Sequence, residues 1–269
     1  MSRLARLTSL FALPLLAAAS AHAQWSTHSI AQPRGTMAAA TVGDLAFFAG
    51  GNSGSNIYDT VDIYDASTDS WSSTALPTPR TQVAAAAVGD LVFFAGGTVA
   101  GFTVTNVVDI LDTQNMSWSS TTLTVARGSA SAAAVGTKVL FAGGGGAGFV
   151  SDRVDVYDSA LGLPTNPAAW STATLSVARA GVTPATVGDL VIFAGGAGIG
   201  GVPFSTVDVY DDSTGLWSLG ASLSAARVMG PQASAVVGTR AFFAGGHFSQ
   251  AGGPNMSDAV DTEPHKVLR

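Results

Sequence analysis

Residues 80–97 read RTQVAAAAVGDLVFFAGG. An arginine opens the stretch and a small apolar run, Thr81–Val88, follows it. Gly89-Asp90 then supplies a two-residue hairpin turn, because glycine enters positive φ without steric cost. Leu91–Ala95 reads as the returning strand. Gly96-Gly97 ends it where backbones crowd and a Cβ would clash. Further out, Val108-Asp109-Ile110-Leu111 alternates in polarity as a third strand does. Trp118 opens a fourth segment that runs through Ser119, Ser120 and Thr121 to Leu123. The unit is four short antiparallel strands.

The unit recurs. Phe-Ala-Gly-Gly stands at 48–51, 94–97, 141–144, 193–196 and 243–246, in steps of 46, 47, 52 and 50. Arg34, Arg80, Arg127, Arg179 and Arg227 precede the five copies. Asp62, Asp109, Asp155, Asp208 and Asp261 follow them, each after a valine. Trp71, Trp118, Trp170 and Trp217 close the first four. Helix signals are nearly absent, since β-branched residues, Gly and Ser dominate. A single four-stranded unit cannot bury both of its faces, whereas units stacked face to face around an axis can. The expected fold is all-β, a β-propeller of five four-stranded blades.

The order of landmarks (arginine, small apolar strand, Gly-Asp turn, double glycine, Val-Asp-x-Tyr-Asp, tryptophan) resembles the kelch motif, whose spacing is near 50. The resemblance covers Trp25 to about Asp261. Leu111 departs from the expected tyrosine, and the fifth copy has neither tyrosine nor tryptophan. That copy runs out near Thr262, while Trp25–Ile30 reads as a fourth strand with no predecessor. The expectation is that this N-terminal strand completes the fifth blade and closes the ring, because an open ring leaves two apolar faces exposed. A larger ring of six or seven blades, from which this chain is a piece, is the alternative.

Met1–Ala23 has the three parts of a secretory leader: Arg3 and Arg6, an apolar stretch over Leu10–Ala19, and the small-x-small site Ala21-His22-Ala23. The domain reading is therefore leader 1–23, kelch-type propeller 24–262 and a C-terminal tail 263–269. No later apolar run is long enough for a membrane helix. The expected product is exported, either secreted or periplasmic, with no integral membrane segment. The 269 residues hold no cysteine, so thiol chemistry, disulfides and Cys-ligated metals are excluded. A net charge of −6 with no basic patch argues against nucleic acid. A monomer is expected.

An antiparallel meander places the five arginines and the loops after each double glycine at the same end. Those loops carry Phe102, Phe149, Phe204 and the pair His247-Phe248. Apolar rings and cations around a shallow depression make a binding surface. The candidate ligand-binding residues are Arg34, Arg80, Arg127, Arg179, Arg227, Phe102, Phe149, Phe204, His247 and Phe248. A residue present in every copy serves what every blade needs, so pairing of the arginines with the repeated aspartates is the competing role. Symmetry breaks at Asn52, Thr98, Gly145, Ala197 and His247, the residues that follow each double glycine.

No His-x-x-x-His pair, EF-hand calcium loop or Gly-x-Ser-x-Gly elbow occurs. No catalytic or metal-binding residue is assigned and no cofactor is expected. The resemblance implies a face that docks peptides or other ligands, so the expected function is an exported, non-catalytic binding module for a protein or glycan. The alternative is a sugar-handling enzyme resembling the kelch-type sialic-acid epimerase. Copper oxidases of galactose-oxidase type need a cross-linked cysteine that this chain lacks.

Overall fold

The computed structural model describes residues 27–230, 233–248 and 256–264. The leader Met1–Ala23, Trp25 and the last five residues lie outside them. The chain divides into two units, 1–30 and 31–269, and every blade belongs to the second. Residues 27–30 carry no strand, so the described part of Trp25–Ile30 does not form the expected fourth strand.

Blade two shows the plan. Ala84–Val88 pairs with Leu91–Ala95, which pairs with Val107–Asp112, which pairs with Ser117–Thr122, each antiparallel to its neighbour. Equivalent four-stranded sheets occupy 38–75, 131–174 and 183–219. The fifth blade has three described strands, Ser234–Val237, Arg240–Ala244 and Val260–Pro264. The first strand of blade two is shorter than the apolar run. Gln82 turns left-handed at φ 55°, so Thr81 makes only an isolated bridge to Thr98 and the ladder starts at Ala84. Among the described residues no helix is long and apolar enough to cross a membrane.

Each blade packs its rear face on the front of the next. Phe47, Ala49, Val61 and Ile63 of blade one share a core with Val92, Phe94 and Leu111 of blade two. The same arrangement joins two to three, three to four, and four to five. Each of the first four fronts carries a phenylalanine beside the closing tryptophan, with ring centroids 5.9 Å apart for Phe94–Trp118 and 6.0 Å for Phe193–Trp217. These pairs add directional ring contact to the area removed from water. The series ends at two residues. Phe94, Phe141, Phe193 and Phe243 are buried, but their counterpart Phe48 on the front of blade one is partly exposed. On the rear of blade five Phe242 is partly exposed, and Val237 is 70% exposed where the equivalent Val135 is 5%.

The double glycines have a steric cause. A Cβ on Gly50, Gly96, Gly143 or Gly195 would stand 2.3 to 2.6 Å from the carbonyl oxygen of the next blade's arginine. That carbonyl accepts a hydrogen bond from the second glycine of the pair, at 2.9 Å for Gly97 to Arg127. Neighbouring blades are thus joined through backbone at a point where only glycine fits.

Candidate functional site

The repeated arginines and aspartates pair within blades. Arg34–Asp62, Arg127–Asp155, Arg179–Asp208 and Arg227–Asp261 lie 2.5 to 2.7 Å apart, and Arg80 pairs with Asp109. All five arginine side chains have no exposed surface. Each guanidinium also donates to the carbonyl of the Phe-Ala-Gly-Gly phenylalanine in its own blade, at 3.0 Å for Arg127 to Phe141 and 3.1 Å for Arg179 to Phe193. Burial pushes the Arg80, Arg127 and Arg179 guanidiniums below their ordinary pKa, and the facing aspartate in each case pulls them back up.

The aspartates face two ways. Asp155 accepts from Arg127 on one oxygen and from the Thr124 backbone N–H, at 2.9 Å, on the other. Asp208 and Asp261 take the N–H of Ser176 and Ser224 in the same manner. Blade two has Pro77 at this place, which has no N–H to give, and the Ser120 hydroxyl supplies the contact to Asp109 at 2.8 Å. The arginine set therefore binds each blade to the chain that enters it.

The open surface lies beside these pairs. A cavity of 440 Å³ opens along the central channel between the first strands of blades one to four, from Thr36 and Gln82 to Ser129 and Gly181. A cleft of 310 Å³ runs between the loops of blades two and three, walled by Phe102, Val104, Phe149 and Val150. Another, of 420 Å³, runs between blades three and four, walled by Phe149, Ile199 and Val228. Ser129 lines all three, and among the described residues no aspartate, glutamate, lysine, arginine or histidine lines any of them.

Of the residues singled out in the sequence, Phe102 and Phe149 reach this site, with Phe102 91% exposed. Phe204 packs against Gly198 on the loop of blade four and is half-buried. His247 bridges Val228 and Met256 through its backbone, and Phe248 follows it at the surface. The arginines do not line the clefts.

The residues that sequence reasoning passed over are Thr36, Gln82 and Ser129, each two places after its arginine. A signal was present, since that place changes from blade to blade (Thr36, Gln82, Ser129, Gly181, Met229) while its surroundings repeat. All three non-glycine residues in the first three blades take positive φ, between 51° and 55°.

The chain matches the Kelch motif over residues 33–75, which span blade one and the arginine segment before it. No curated protein matches it. Among solved structures it is similar to one titled "Structure of YjhT", at 17% sequence identity and a TM-score of 0.69, covering 88% of this chain and 83% of that one. At that identity the likeness carries the fold alone. With the motif in blade one and the same double glycine and Arg–Asp tie in the blades that follow, the chain is a β-propeller whose first blade carries a Kelch motif.

Proposed function

We propose that the propeller is a non-catalytic binding module that takes an uncharged, largely apolar segment of a protein partner across the face bearing the double-glycine loops. The observation that carries this is the convergence of three clefts on Ser129 with no ionisable side chain among the described residues lining any of them. A charged ligand group would lose hydration there without a counter-charge, a cost of several kcal/mol. Acid–base chemistry would lack a titratable group within reach of a bound substrate.

The same lining weighs against a glycan. Each sugar hydroxyl buried without a partner costs about 1–3 kcal/mol. The walls offer few polar side chains for such groups and many bare glycine and alanine surfaces. An apolar peptide segment needs fewer partners and gains from covering Phe102 and Phe149, rings of the kind that anchor interfaces. The leader-like sequence of Met1–Ala23 supports a secreted or periplasmic place for this activity.

The test is to probe a peptide array and a glycan array with the labelled full chain and with a Phe102→Ala/Phe149→Ala double variant. The expected result is retention on uncharged, apolar peptides, reduced at least tenfold by the double substitution. Retention on glycans alone, or peptide binding that the double variant leaves intact, would overturn the assignment.

A further inference from the structure

Gly181 shows that glycine suffices for the backbone turn at the channel mouth, with φ 63° and no side chain to strain. Ser129 and Gln82 make the same turn at φ 51° and 55°. A side chain in that region costs about 1–2 kcal/mol per residue. The turn itself therefore gives no reason for a serine or a glutamine here, and backbone strain of this sort collects where a side chain has to be aimed.

Their polar atoms are placed for use. The Thr98 hydroxyl donates to Gln82 Oε1 at 2.9 Å, which orients the amide and leaves the two N–H of Nε2 as its free end. Gly128 keeps that arrangement open, because a Cβ there would come 2.9 Å from Thr98 Oγ1 and 3.3 Å from Gln82 Oε1. The Ser129 hydroxyl makes no hydrogen bond among the described residues, and its backbone N–H donates to the Gln82 carbonyl at 3.1 Å, so the two residues sit side by side. Thr36 differs, since its hydroxyl is already committed to Asn52 and Thr81. The two residues with free polar ends are also the two that line both the channel mouth and the cleft between Phe102 and Phe149.

We propose that Gln82 and Ser129 are the specificity-determining residues of this face and read the C=O and N–H of one residue of an extended, uncharged main chain. Gln82 Nε2 donates to the ligand carbonyl, and Ser129 Oγ accepts from the ligand N–H. The flanking apolar side chains of the ligand then fall to either side of Phe149, toward Phe102 and toward Ile199. This assignment rests on the binding role proposed above and adds the contact that selects a polypeptide.

The probe is the blocked tripeptide acetyl-Leu-Ala-Leu-amide, titrated into the isotopically labelled full chain and followed by amide shifts. A second probe carries an N-methyl group on the alanine amide nitrogen, and N,N′-diacetylchitobiose serves as the glycan. Ser129→Gly removes the hydroxyl while retaining a residue suited to positive φ, and its melting temperature, expected to equal or exceed that of the parent, reports the fold. The expected result is that the tripeptide shifts the amides of 128–130 and 145–150 and binds Ser129→Gly about three- to tenfold more weakly. N-methylation should weaken binding to the parent by a similar factor and add nothing in the variant. Equal tripeptide affinity of parent and Ser129→Gly, with binding still lost in Phe102→Ala/Phe149→Ala, overturns the Gln82–Ser129 assignment and leaves the binding role standing. Shifts produced by the chitobiose and not by the tripeptide overturn both.

Discussion

Gly97 donates its backbone N–H to the carbonyl oxygen of Arg127 at 2.9 Å, and a Cβ on the preceding Gly96 would lie 2.3 Å from that oxygen. The contact joins blade two to blade three without any side chain from the glycines. It explains why the double glycine recurs at each junction between blades.

Gly96→Ala and Gly245→Ala separate two effects that coincide at most of these sites. Both glycines have positive φ, 62° and 65°. Among the described residues only Gly96 faces a following blade, and the nearest described atom to a Cβ on Gly245 is the Ser257 carbonyl oxygen at 3.7 Å. Gly245→Ala should therefore cost only the left-handed strain, about 1–2 kcal/mol. Gly96→Ala should cost more than that, because the clash is with backbone and is relieved only by parting the blades. Urea unfolding of the two variants checks this, and equal losses would show that close approach is not what the glycines serve.

Asp155 tests the buried pairs. Removing it leaves the Arg127 guanidinium uncompensated in the blade and strips Thr124 of its acceptor. The expected cost of Asp155→Ala is about 3–5 kcal/mol. In Arg127→Met/Asp155→Leu no charge is left unpaired, so the double variant should lose less than the sum of the two single changes. Additive losses in chemical denaturation would mean that the two groups act independently.

The blade plan was legible because it repeats. Each landmark is seen five times or nearly so, and Arg80, Gly96, Asp109 and Trp118 all sit where the blade needs a particular shape or charge. The site was only partly legible. The arginines drew attention as cations near a loop face, but a cation present in every blade is paired in every blade, here with no exposed surface. Phe102 and Phe149 were visible as apolar rings in loops. Gln82 and Ser129 left only a faint signal, a place that varies while its surroundings repeat, because what sets them apart is a left-handed backbone and a position in clefts shared between blades. The first strand is shorter than its apolar run at the same place, since Gln82 has the composition of a strand residue but a left-handed φ of 55°.

Phe94 and Phe48 occupy the same place on successive blades, and among the described residues only Phe94 is buried against a preceding blade, while Phe48 is partly exposed. Phe94→Ala should cost about 3–5 kcal/mol, the usual range for emptying a well-packed phenylalanine site. Phe48→Ala should cost less than half as much, because part of its ring already meets water. Thermal and urea melts of the two variants compare them directly. A loss at Phe48 as large as at Phe94 would show that the front of blade one is covered in solution.

Acid should loosen blade five through Asp261. Burial works to raise the pKa of this carboxyl. The Ser224 N–H, the Arg227 guanidinium and the Ser224 hydroxyl outweigh burial and hold it below the ordinary carboxylate range, with contacts of 3.0, 2.5 and 3.1 Å. In the unfolded chain the same group titrates near its reference value of about 3.9. A carboxyl whose pKa is lower in the folded state contributes stability that is fully present above the unfolded value and is lost as pH falls through the folded one. Between pH 7 and about 4 its contribution is thus constant, and below about 4 it declines. Asp261→Asn removes this titration, so the variant should be less stable at neutral pH and its melting temperature should fall less steeply than the parent's below pH 4. Parallel curves for parent and variant across pH 2–6 would show that the Arg227–Asp261 pair has no part in acid unfolding.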